Sequence, residues 1–268
     1  MIKYRITALA CILPLITSAF AQVEITARIE PSRAVLYEPV IATVRIQNHT
    51  SQRIILDDHT PGSRIWFNIE QSPGRRVRQR DPVVLGEPLI VEPRQSATRR
   101  INISRIYDIR DTGPYNVRAR LDWGGESFAS GRTFLDVVPG LEITRMVGPA
   151  SPDGSERRLY RLLSLNRDRG EHLFLRIDDE ARRICYAVLH LGRVVRIQEP
   201  TMRIDAGNNI HVLHQAGPGR FLHHAFSPSG DQVTRRMYTS EDPGVALEYG
   251  RDGAVVVSGA ATSLMDGE

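Results

Sequence analysis

The chain has 268 residues, a formal net charge of +4 and two cysteines. So small a charge does not suggest a general nucleic-acid binder, which needs a strongly basic face. The length allows one large domain or two small ones.

Residues 1–21 read as a secretory signal peptide. Lys3 and Arg5 form its charged start, residues 6–20 its apolar core, and Ala19-Phe20-Ala21 its small-x-small cleavage site. The apolar run falls short of the ~20 residues that cross a bilayer, so no membrane span is expected after cleavage. Ala8-Leu9-Ala10-Cys11 resembles a bacterial lipoprotein signal, but Ala8 stands where a larger aliphatic residue is usual, and lipidation at Cys11 is not expected. The expected location is periplasmic or secreted. The chain from Gln22 keeps one cysteine, Cys185, so no internal disulfide is available and hydrophobic cores must hold the fold. Cys185 lies in an apolar strand pattern, which suits a buried structural thiol rather than a nucleophile. Loss of Lys3 and Arg5 takes the charge from +4 to +2.

Residues 23–29 alternate apolar and polar up to Pro31, as a strand facing one core does. Residues 41–48 put Ala42, Val44 and Ile46 inward, and Asn48-His49-Thr50-Ser51 turns the chain. Short strands are expected at 53–56, 65–70, 89–91, 98–103, 115–123 and 133–138, with Gly124-Gly125 as a two-residue hairpin turn between the last two. In the stretch Asp111-Thr112-Gly113-Pro114-Tyr115-Asn116-Val117, a turn leads into Tyr115, Val117, Ala119 and Leu121 on one face of a strand. This Asp-x-Gly-x-Tyr-x-Val pattern resembles the tyrosine corner of immunoglobulin-like β-sandwiches, and the run as a whole resembles bacterial secreted modules of that kind. The resemblance implies structural roles for Asp111, Gly113 and Tyr115. Val117 stands where antibody-type domains have their second cysteine, and the third strand has no tryptophan, so antigen-like recognition is not implied.

Val138-Pro139-Gly140 closes the sandwich, and the domain boundary is expected near residue 140. Residues 141–147 suit either side of it. The second part, 141–268, carries a faint repeat. Strands at 173–177, 184–190 and 194–198 end at Glu199-Pro200; strands at 210–214, 221–226 and 232–238 end at Asp242-Pro243. Short apolar stretches at 159–165 and 202–204 precede the two sets. Four short strands in about 40 residues is the spacing of propeller blades, but a closed ring takes at least about four blades. The expected fold is all-β: an immunoglobulin-like sandwich, then a β domain of blade-like antiparallel hairpins.

Six of the eight histidines fall in the second part. A four-residue loop 216–219 would set His211 opposite His224, close enough for one ion, yet zinc wants three or four protein ligands and no third stands on that face. Metal binding at His211 and His224 is therefore the lesser expectation, and no cofactor is expected. Arg75, Arg76, Arg78 and Arg80 form the densest charge run. Guanidinium forks suit anionic envelope glycans or an acidic envelope protein, but the same run also serves as a charged guard on an edge strand. The acids at 178–180 suit a polar turn better than a calcium loop. Nucleophile-elbow, zinc-protease and phosphate-loop motifs are missing. The expected role is an exported, non-catalytic binding, adhesion or envelope-assembly protein; the alternative is a hydrolase or metal-binding protein using the histidines.

Overall fold

The computed structural model describes residues 23–263 except positions 152, 169, 180, 183, 242 and 243. The expected signal peptide lies outside the described residues.

The first part supplies β1 (Val23–Glu30), β2 (Arg33–Val35), β3 (Ile41–Asn48), β4 (Ile54–Leu56), β5 (Arg64–Gln71) and β6 (Arg75–Arg76). It continues with β7 (Leu89–Val91), β8 (Ser96–Asn102), the single helical turn α1 (Ile103–Ile106), β9 (Gly113–Trp123), β10 (Glu126–Ala129) and β11 (Thr133–Val138). One sheet runs β1-β3-β8; the other runs β2-β11-β9-β5-β6, with β10 also on β9. The alternation that marks these strands in the sequence is the alternation of burial. Ala42, Val44 and Ile46 of β3 are fully covered, and so are Val117, Ala119 and Leu121 of β9. Their side chains meet across one apolar cluster between the two sheets. Each fully buried aliphatic side chain there stabilises by roughly 1.5–3 kcal/mol, and cutting Ile46 to Ala would cost about 2–5 kcal/mol.

Gly124 and Gly125, both at positive φ, make the tight turn from β9 to β10. The returning arm is interrupted before β11. There Ser130 donates its N–H to the Ala119 carbonyl and accepts the Ala119 N–H on its hydroxyl, keeping both backbone groups paired.

The second part opens with β12 (Leu141–Pro149), β13 (Arg157–Arg167), β14 (Gly170–Asp179) and β15 (Cys185–Arg193), a four-stranded antiparallel meander. The segment that could have joined either part pairs with β13. Next come β16 (Thr201–Ile204), β17 (Ile210–Gly217), β18 (Arg220–Phe226) and β19 (Gln232–Thr239). They form a second meander, which β22 extends. The hairpin of β20 (Ala246–Tyr249) and β21 (Val255–Ser258), then β22 (Ala261–Ser263), complete the described chain. Tyr160, Leu173, Leu175 and Ile177 of the first meander pack with Ile210, Val212 and Phe226 of the second. Leu213, Phe221 and Tyr238 pack with Leu247 and Val255 of the β20–β21 hairpin.

One expected strand is absent. Residues 194–198 turn instead of pairing, because the chain must cross there from one meander to the next. Val194 and Val195 donate to the carbonyls of Glu171 and Gln215, one in each sheet. The acids at 178 and 179 also differ from expectation. Asp178 and Asp179 belong to β14 and are buried against Arg176, Arg161 and Arg158 rather than lying in a turn.

The two parts meet along a seam. Val35 packs with Leu163, Leu165, Phe174 and Val188, and Arg176 sits 5.0 Å over the Tyr37 ring. Glu38 and Arg167, both nearly fully covered, form an ion pair at 2.8 Å. Burial pushes the Glu38 carboxyl above its usual range even with Arg167 beside it. Among the described residues no helix is long and apolar enough to cross a membrane.

Candidate functional site

The Tyr115 hydroxyl donates to the Asp111 carbonyl at 2.6 Å while its ring is buried. Gly113, between them, has φ 130°, which no side chain tolerates well. The Asp111 carboxylate in turn pairs with Arg75. Two features that stand 36 residues apart in sequence thus form one structural unit.

The four arginines do not converge. Arg75 and Arg76 make up β6, the edge of the larger sheet, and Arg75 is occupied by Asp111 and Gln71. Arg80 binds the carbonyls of Ser104 and Arg105 and the Asp108 carboxylate. Arg76 borders a cleft of about 590 Å³ shared with Arg64, Trp66, Asp57 and Asp58. Arg78 is exposed. Of the run, only Arg75 and Arg76 lie on the edge strand itself.

His211 and His224 do not face each other. The turn is the pair Pro218-Gly219 closed by Gly217 and Arg220, and Ala216 is the extra residue of a bulge. That shift of one sets His211 opposite Ala225 and Val212 opposite His224, and sends the two imidazoles to opposite faces of the sheet. The expected shared ion has no geometry, and no three metal-ligating side chains converge among the described residues.

The six histidines stack instead in three pairs. His172 Nδ1 lies 2.9 Å from His190 Nε2. His214 and His224 stack at 5.6 Å between centroids, buried toward the first meander, with the backbone of Arg193 beside His214 and that of Leu191 beside His224. Burial pushes His214 down to about 4 and His224 to about 3, with Arg235 adding to both.

The third pair extends into a chain. His211 Nδ1 is 2.9 Å from His223 Nε2, and His211 Nε2 is 3.0 Å from Asp205 Oδ2. Asn209 holds Asp205 through its backbone and side-chain N–H groups. Burial opposes the Asp205 charge, but the bonds from Asn209 and His211 outweigh it and hold the carboxyl below its usual range. Asp205 therefore accepts from His211 Nε2–H, which leaves His211 Nδ1 to accept from His223 Nε2–H. His223 is pushed down to about 4 by burial, and the neighbouring His211, His224 and Arg236 further oppose a proton on it. This relay orients imidazoles as a hydrolytic site would, but its far end, His223 Nδ1, is buried without a partner.

A second site lies at the seam. Residues 184–189, the start of β15 and its approach, form one wall of a cleft of about 730 Å³. Tyr37, Ser104, Arg105, Tyr107 and Arg110 stand on the other side. Cys185 also lines it, its thiol pushed up to about 12 by burial and so kept un-ionised. No sequence signal marks this site, because its walls come from residues about 75 to 150 positions apart brought together by packing alone. No protein-family model matches this chain, and no curated protein matches it either.

Proposed function

We propose that this is an exported protein that acts by binding, built as an immunoglobulin-like sandwich over residues 22–140 and a blade-like β domain over 141–268. The seam cleft carries this reading. It joins an open strand edge, exposed apolar side chains at Ile184 and Tyr186, and arginines that outnumber the acids beside them. The tyrosine hydrogen bond at Asp111 and the two facing sheets support the sandwich; the two successive four-stranded meanders support the blade-like description. The charged start, short apolar core and Ala19-Phe20-Ala21 support export to the periplasm or beyond. The partner is an envelope protein rather than nucleic acid.

A second reading, a hydrolase, is favoured by the Asp205–His211–His223 relay. One comparison separates them. The chain from Gln22 is immobilised and exposed to the native host's envelope fraction, with Arg105→Ser/Arg110→Ser and His211→Phe variants beside it, and assayed in parallel on ester and phosphodiester substrates. Binding predicts capture lost in the arginine variant and kept in the histidine variant. Turnover that His211→Phe abolishes would favour the hydrolase.

A further inference from the structure

We propose that the outer edge of β15 and the arginines across the seam take an extended, acidic segment of a partner protein as an added strand. This deepens the binding reading and rests on it.

Three observations point the same way. β15 is the last strand of its sheet, bonded to β14 on one side only. Every second residue of such a strand turns its N–H and C=O outward. Among the described residues no backbone hydrogen bond reaches Tyr186, Ala187, Val188 or Leu189 from outside the sheet; only the Cys185 thiol approaches a carbonyl there, that of Ala187 at 3.6 Å. Residues 184–189 thus offer about 20 Å of strand edge along the cleft. An unpaired edge of this kind is a template for a further strand.

The facing wall sets the charge of the occupant. Arg80, Arg105 and Arg110 line it, and the Asp108 carboxylate serves both Arg80 and Arg110. No described residue pairs with the Arg105 guanidinium. The wall therefore carries surplus positive charge opposite the open edge, and carboxylates on the incoming strand would meet it in fork geometry. Ile184 and Tyr186, about half exposed, supply apolar contact for the residues between. An anionic glycan would satisfy the arginines but offers no N–H and C=O ladder to the strand and little to Ile184. A peptide satisfies all three.

The test titrates the full chain from Gln22, by fluorescence anisotropy, with a labelled decapeptide that alternates Glu with Val or Thr. Comparison probes are its Lys-for-Glu counterpart, two copies N-methylated on odd or on even residues, and dextran sulfate. The acidic peptide is expected to bind, the lysine peptide about tenfold or more weaker. N-methylation along one edge only should abolish binding. Arg105→Ser/Arg110→Ser, both solvent-facing, should weaken it about tenfold, and hydrogen exchange at residues 186–189 should slow in the complex. Equal binding of the lysine peptide overturns the proposal, and so does displacement by dextran sulfate with no effect of N-methylation. If no peptide binds while arginine-dependent envelope capture persists, this inference fails and the binding reading stands. If both are lost, both fail.

Discussion

Acidification should destabilise the second part of this protein before most of its carboxylates titrate. His214, His223 and His224 are buried and neutral, with folded-state values of about 4, about 4 and about 3 against 6.5 in a free side chain. The groups facing them are other imidazoles and cations: His190 and Arg235 near the first pair, His211 and Arg236 near His223. Between those values the unfolded chain binds protons that the folded chain refuses, so stability falls as pH falls. At about pH 5 each of the three forfeits about 2 kcal/mol, or about 6 kcal/mol together, as an order of magnitude. Domains of this size hold only about 5–15 kcal/mol in total. Urea denaturation followed by far-UV circular dichroism, from about pH 7.5 down to about pH 5, should show a falling midpoint. A His214→Leu/His224→Leu variant should flatten that slope while keeping or raising stability at neutral pH. A wild-type midpoint that stays constant over this range would refute the reasoning.

Tyr115→Phe removes one hydroxyl bond to the Asp111 carbonyl and should cost about 0.5–1.5 kcal/mol in denaturation. Tyr107→Phe should cost more, about 1–3 kcal/mol, because it leaves the buried Phe67 N–H without its acceptor at 2.8 Å. Arg167→Met strands the buried Glu38 carboxylate at the seam and should cost about 3–5 kcal/mol; Glu38→Gln in the same background should recover part of it. Intact-mass measurement on protein from the native host should find the chain beginning at Gln22; a retained Met1 or a lipidated Cys11 would refute the export reading.

Local patterns were the legible part of this chain. Period-two alternation marks β3, β5 and β9 within a residue or two, because each has one face on a core and one in water. The tyrosine turn was legible because its hydrogen bond closes within four residues. The faint repeat spans two meanders without matching them strand for strand: the first begins with β12, and the apolar run at 194–198 is a crossing between sheets. The histidine pairing was missed by a single residue. A bulge at Ala216 has no compositional mark, and one slipped residue exchanges the faces of a whole strand. Nothing in the sequence marks Asp205 as a partner of His211, since only the hairpin geometry brings it near. The seam was invisible, because nothing in the order of residues says that α1 will face the edge of β15.

The most direct test of binding at the seam is site-specific photo-crosslinking in the native envelope. A benzophenone side chain is placed at Tyr186, on the seam, and in a separate protein at Val256, exposed on β21. Binding at the seam predicts a discrete protein adduct from position 186 that disappears in the Arg105→Ser/Arg110→Ser background, and none of that mass from position 256. The same adduct from both positions, or no adduct from 186, would contradict it.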